Sequence, residues 1–345
     1  MDFDLSPDQL ALQEAASHLL EAECPPGRVR AAEDGFDPEL WSAMVAQGWT
    51  GIDVPEQWGG VGLGTVEAAV LLEQAGAHLA PVPLSQQLTA LCSLAPTEWG
   101  PRLVAGEVIA AVARTVLTQH GDGSVSGSLE PVLYGDRADV VVAPAGSSLV
   151  AIDLRSMVRT AEPAMDRTRS LSRLEFDKFP ATVVGDALAI RAHLDRGAVA
   201  HAAEMLGAAE AVMHLAVDYA KEREQFGRPI GSFQAVKHRC ADMLVDVEGM
   251  RSAVYHAAWA LGVDDDEASI AACTAKVWCS DAALRVAESA LQVHGGIGFT
   301  WESDVHLYLK RIQLDSVAFG DARHHRTRLA SLLRGKVETG GSVLS

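Results

Sequence analysis

Apolar positions follow a helical period at both ends of this chain and a strand-like alternation in its middle. Leu10, Leu12, Ala15, Leu19 and Leu20 recur at helical spacing across Asp4–Glu23. Ser6-Pro7 gives that stretch an N-cap followed by a first-turn proline, and Pro25-Pro26-Gly27 stops it. Further helices are predicted over Pro38–Gln47, Thr65–Ala77 and Leu84–Cys92. Gly48–Gly64 between them is too glycine-rich to be regular. Short alternating or β-branched runs follow at Val108–Arg114, Gly123–Leu129, Val140–Pro144, Leu149–Asp153 and Leu171–Phe176. Gly, Asp, Ser and Pro bound them, as they bound antiparallel strands. The helical period returns at Asp186. It predicts long helices over Leu188–Arg223, Ser232–Leu261 and Glu267–Leu291, then shorter ones over Ser303–Asp315 and Asp321–Leu333. The long helices carry small apolar residues on more than one face, which suits a close-packed bundle that also forms an interface. The expected organisation is a helical domain over 1–106, a small β-domain over 107–185, a helical bundle over 186–334 and a flexible tail over 335–345.

Composition narrows the function classes. The 345 residues suffice for two or three domains, and 48% hydrophobic with 21% charged is ordinary for a globular protein. The net charge of −18 argues against a nucleic-acid binder, which needs a basic face. No run of 18 apolar residues marks a membrane span, and the acidic N-terminus has no hydrophobic signal region. Five scattered cysteines without a CxxC pair fit reduced thiols in a cytoplasmic protein.

Two stretches carry candidate chemistry. In QVHGGIGFTWE, Gly295, Gly296 and Gly298 fall in four residues after a long helix, so backbone can approach a bulky anion without a Cβ in the way. One glycine there would be an ordinary helix stop. The second stretch, Tyr219–His238, reads YAKEREQFGRPIGSFQAVKH. Together they resemble the two signatures of the acyl-CoA dehydrogenase family. The resemblance covers nearly the whole chain and is strongest over 187–333. It implies a mainly α fold with a small β-domain: an N-terminal helical domain, a middle antiparallel β-domain and a C-terminal four-helix bundle. It also implies FAD, an acyl-CoA substrate and electron-transfer flavoprotein as electron acceptor. In such enzymes a carboxylate removes a proton from Cα of the thioester, and FAD takes hydride from Cβ. Each FAD is shared across a dimer interface. By position, Arg223 resembles the arginine that meets the pyrophosphate, and Phe226 the aromatic beside it. Gln234, Gln292, Gly295 and Gly296 resemble the remaining contacts to a neighbour's cofactor.

The parts that would handle this chain's own flavin and substrate depart from the family pattern. The T-E-P-x-x-G-S-D loop is missing between Leu117 and Gly123. Where the family strand carries W-x-(T/S)-N, Pro131 and Leu133 stand in place of the tryptophan and the threonine. The base occupies one of two places in the family, and these align with Phe319 and Gly197, neither of which can accept a proton. The resemblance is therefore to the non-catalytic subunit of heteromeric actinobacterial steroid-CoA dehydrogenases, and it implies an α2β2 assembly with a catalytic paralogue. Two other readings stay open. One is a homomeric dehydrogenase with a displaced base, Asp321 or a histidine. The other is a non-redox protein binding acyl-CoA or a partner. Asp321 reads first as an N-cap for the final helix. His324 and His325, flanked by Arg323 and Arg326, read as a solvated helix face or as an anion contact, and adjacent histidines on a helix do not share a metal.

Overall fold

The structure, a computed structural model, describes residues 4–32 and 34–338. Eleven α-helices appear among them: α1 Pro7–Glu23, α2 Pro26–Ala31, α3 Pro38–Ala46, α4 Thr65–Ala77, α5 Leu84–Leu94, α6 Gly100–Val104, α7 Ala187–Glu222, α8 Gln234–Gly262, α9 Ala268–His294, α10 Val305–Val317 and α11 Ala322–Glu338. The strands are β1 Ala110–Val112, β2 Thr118–Gln119, β3 Ser124–Leu133, β4 Val140–Ala145, β5 Ser148–Asp153, β6 Ala161–Glu162, β7 Leu171–Pro180, β8 Thr182–Gly185, β9 Glu224–Gln225 and β10 Arg228–Pro229. The chain is mainly α with a small β region. Its contacts divide it into two compact units. Among the described residues, one holds 4–26, 69–80 and 201–338; the other holds 27–32, 34–68 and 81–200.

The first unit is helical. Ser6 caps α1 in a capping box: its side chain accepts from Gln9 N–H, and the Gln9 side chain accepts from Ser6 N–H. The C-terminal part of α4 lies against α7 at a crossing that only small residues permit. A Cβ on Gly207 would overlap the Glu73 carbonyl, and one on Gly76 would overlap the Glu204 carbonyl. Ala202, Ala203, Met205, Leu206, Ala209 and Val212 fill the α7 interior, with Met250, Val254, Ala272 and Val286 from α8 and α9. The crossing also buries a charge. Glu73 is 0% exposed. It accepts from Arg251 Nη1 at 2.6 Å and from the Tyr255 hydroxyl, and Arg251 Nη2 reaches Glu210 at 2.6 Å. Gly335–Glu338, expected as tail, forms the last turn of α11, while 339–345 lie outside the described residues.

The second unit holds two four-stranded sheets, in the orders β1-β4-β5-β8 and β2-β3-β7-β6. Val125, Leu129, Val141, Val150, Ile152, Leu174 and Phe176 are central to their shared core. One pairing corrects the antiparallel expectation: β1 runs parallel to β4, with Ala111 opposite Val141. Alternation sets which face is buried and says nothing of direction. The free edge of β1 is covered from α5. Gln87 Oε1 accepts from Ala110 N–H at 2.9 Å and Gln86 Oε1 from Val112 N–H at 3.2 Å, and both side chains are buried. Pro131 sits exposed where β3 slips register against β7 between Leu129 and Val132, the place in a strand that tolerates a missing N–H.

Candidate cofactor face and the vacant base positions

The family-like residues cluster where α7 and α9 end. Arg223 N–H donates to the Tyr219 carbonyl at 2.8 Å, completing the last turn of α7. The chain then makes a two-residue hairpin, with Gln225 opposite Arg228 and Phe226-Gly227 as its loop. Both loop residues have positive φ, 55° and 79°, as the tightest hairpins require. Glycine tolerates that backbone; a bulky aromatic pays for it in strain, and Phe226 is nonetheless 91% exposed. Its ring meets Phe233 edge-on at 6.0 Å, and Arg228 lies 4.2 Å over the Phe233 ring. Those contacts tie the hairpin to Gln234, the first residue of α8.

At the other segment, α9 ends on His294, whose ring stacks 4.5 Å from that of Tyr219. The stack brings the end of α9 against the last turns of α7. Gly295 adopts φ 63°, ψ −142°, a glycine conformation, and a Cβ at Gly227, Gly295 or Gly296 would meet nothing within 4 Å. The side chains of Arg223, Gln234 and Gln292 are exposed and have no hydrogen-bond or ionic partner among the described residues. A cavity of 570 Å³ opens beside Gln292, lined by Arg239, Asp246, Arg285 and Ser289. A guanidinium, two amides, an exposed aromatic and open glycine backbone fit the pyrophosphate and adenosine of a dinucleotide. FAD is such a group, and Arg223, Phe226, Gln234, Gln292, Gly295 and Gly296 are the residues that would hold it.

The two positions expected for a base, Gly197 and Phe319, hold no proton acceptor. Gly197 is buried within α7. Phe319 joins α10 to α11 with φ 53° and is 8% exposed. Its ring lies 5.7 Å from that of His201, one helical turn beyond Gly197 on α7. His201 Nδ1 is 3.0 Å from Asp315 Oδ1 and 3.5 Å from Glu204 Oε2. Burial pulls the imidazole pKa down, but the two carboxylates more than reverse it and leave it raised. These are metal-ligating types with ligand atoms within 4.8 Å of one another. The Lys276 ammonium is at the same turn, donating to the main-chain carbonyls of Asp315 and Ser316 at 2.6 and 3.0 Å. At 2% and 0% exposure, Glu204 and Asp315 offer no surface carboxylate.

Asp321 is occupied by structure: its Oδ1 accepts from His324 N–H at 2.8 Å at the head of α11. The basic quartet splits. His325 is buried and donates from Nε2 to the Phe319 carbonyl at 3.0 Å, and burial lowers its pKa to about 4. Arg323 and His324 face solvent, and Arg326 pairs with Asp281. Sequence reasoning missed His201 and the Tyr219–His294 stack; the one available signal for His201 was its four-residue spacing from Gly197.

The family model described as Acyl-CoA dehydrogenase, N-terminal domain, matches residues 6–114, and that described as Acyl-CoA dehydrogenase, C-terminal domain, matches 185–333. The chain is 37% identical over 334 residues to acyl-CoA dehydrogenase IpdE2 of Mycolicibacterium smegmatis, covering 94% of this chain and 98% of that one. Among solved structures it resembles a chain of the Tcur3481-Tcur3483 steroid ACAD, with TM-score 0.88, 30% identity and coverage of 96% and 99%. A chain of the ChsE4-ChsE5 complex from Mycobacterium tuberculosis gives TM-score 0.89, 29% identity and coverage of 97% and 99%. No helix among the described residues is long and apolar enough to cross a membrane.

Proposed function

The chain belongs to the acyl-CoA dehydrogenase family, and from that premise we propose that it is the non-catalytic subunit of a heteromeric dehydrogenase. It pairs with a paralogue that keeps its glutamate, in an α2β2 assembly in the cytoplasm. The substrate is a bulky acyl-CoA thioester of the steroid side-chain class. The observation that carries the reading is a contrast between two sites. The Arg223, Gln234 and Gln292 side chains are exposed and have no hydrogen-bond or ionic partner among the described residues, whereas the position aligned with the family base is filled by a buried Phe319. FAD, when bound, supplies the hydride acceptor, and electron-transfer flavoprotein reoxidises it. This chain's task is binding: Arg223 neutralises pyrophosphate charge, Gln234 and Gln292 offer amides to the adenosine end, and Gly295 and Gly296 let backbone come close. Proton removal belongs to the partner. The similarity to IpdE2, to a steroid ACAD and to a two-protein complex supports the substrate class and the paralogue. Asp321 does not favour the displaced-base reading, because it caps α11.

The test is the flavin content of the co-expressed complex. A charge-assisted contact contributes roughly 1.5–3 kcal/mol, so Arg223→Ala is expected to weaken FAD binding about 10- to 100-fold without dissociating the complex. Unchanged FAD occupancy after dialysis would remove Arg223 from the site.

A further inference from the structure

We propose that Tyr219 and His294 are a positioning pair that sets the spacing between Arg223 and the Gly295-Gly296 backbone, and so the affinity for the shared dinucleotide. The inference rests on the reading of a shared flavin and adds two residues to it. His294 Nδ1 lies 2.8 Å from the Ala290 carbonyl, which can only accept. Nδ1 therefore carries the hydrogen, and the imidazole plane is fixed along the last turn of α9. The ring lies 4.5 Å from that of Tyr219 at 19° to it, an offset face-to-face stack. On the α7 side the stack is one turn from the guanidinium, because the Tyr219 carbonyl receives Arg223 N–H. On the α9 side it is one bond from Gly295, whose N–H donates to the Leu291 carbonyl.

Each ring is thus fastened to the backbone that presents a different half of the site. Arg223 has no ionic partner among the described residues to hold it in place. Its backbone carbonyl accepts from Ile230 N–H at 2.7 Å, which secures the hairpin to α7 and leaves the distance to α9 undetermined. The stack supplies that distance. Both rings are half-buried. Any flat ring at either position preserves the spacing, and an aliphatic side chain does not.

The experiment measures FAD dissociation constants by flavin fluorescence on the complex co-expressed with its paralogue. The variants are His294→Leu, Tyr219→Leu, His294→Phe, Tyr219→Phe and Arg223→Ala. The stacking energy of an aromatic pair corresponds to a weakening of about 3- to 10-fold for either leucine variant. Both phenylalanine variants should bind as the parent does, and the mass of the complex should be unchanged in all the stack variants. Two leucine variants are made so that one assembling complex suffices. Parental affinity in the leucine variants, with Arg223→Ala weakened, overturns the positioning pair and leaves the shared site standing. Weakening in Tyr219→Phe equal to that in Tyr219→Leu also overturns it, because the hydroxyl would then be a direct ligand. Parental affinity in Arg223→Ala overturns the shared-site reading itself.

Discussion

Replacing Arg251 by methionine isolates the charge buried at the α4–α7 crossing. Glu73 is 0% exposed, and its partners are Arg251 and the Tyr255 hydroxyl. Burial raises its pKa above 4.5, and Arg251 and Tyr255 oppose that rise without cancelling it. Removing the guanidinium leaves a carboxylate that must stay charged without its cation or take up a proton. Charged burial without a partner costs roughly 3–5 kcal/mol. Protonation sets a ceiling on that loss: neutralising a carboxyl of model value 4.5 at pH 7 costs about 3.4 kcal/mol. The ceiling falls by about 1.4 kcal/mol per pH unit, to under about 1 kcal/mol at pH 5. The lost pairs to Glu210 and Glu248 add little, because those carboxylates are 30% and 57% exposed. Arg251→Met is therefore expected to lose about 3 kcal/mol at pH 7 and most of that deficit should vanish by pH 5. Glu73→Gln added to it should restore much of the stability at pH 7. The assay is the thermal midpoint of the assembled protein at both pH values. An equal deficit at pH 5 and 7, or no rescue by Glu73→Gln, refutes the reasoning.

A second titration concerns the other unit. Burial lowers the His193 pKa from 6.5 to about 4, although the bond from its Nε2 to the Ala113 carbonyl opposes this. The unfolded chain then binds the extra proton, so this contribution is whole above pH 6.5 and is lost as pH falls toward 4. His193→Gln should flatten the fall in thermal midpoint over that window, by up to about 3 kcal/mol, and a curve parallel to the parent's would contradict the burial argument. At the vacant base position, Phe319→Glu alone should yield no acyl-CoA turnover in the isolated chain, measured by dye reduction. Turnover with bound FAD would end the account of a non-catalytic subunit.

What the sequence made legible was local. The period over Leu188–Arg223 marks α7 to within a residue at each end. The Ser6-Pro7 cap and the Asp321 cap were readable because a cap is a contact between near neighbours. The β1–β4 pairing was not, since strand direction leaves no trace in a three-residue apolar run. The β9–β10 hairpin was hidden for a related reason: Glu-Gln and Arg-Pro have neither alternation nor β propensity, and Phe226-Gly227 is not a usual turn pair. At the candidate site, two motifs supplied the six positions proposed to face the cofactor. The Tyr219–His294 stack and the His201–Asp315 contact could not, because they join residues 75 and 114 apart in sequence. His324 and His325 look alike in the chain, yet one faces solvent and the other is sealed against Phe319. Only the helix phase at that turn separates them.

The central claim is that this chain supplies half of a flavin site and none of the acid–base chemistry. Co-expression with a glutamate-bearing paralogue, followed by light scattering with flavin absorbance taken on the same peak, tests it most directly. The account predicts a tetramer of two chains of each kind carrying about half an FAD per chain, and flavin-free, poorly soluble material when this chain is made alone. A stable homotetramer of this chain alone with one FAD per chain would contradict it.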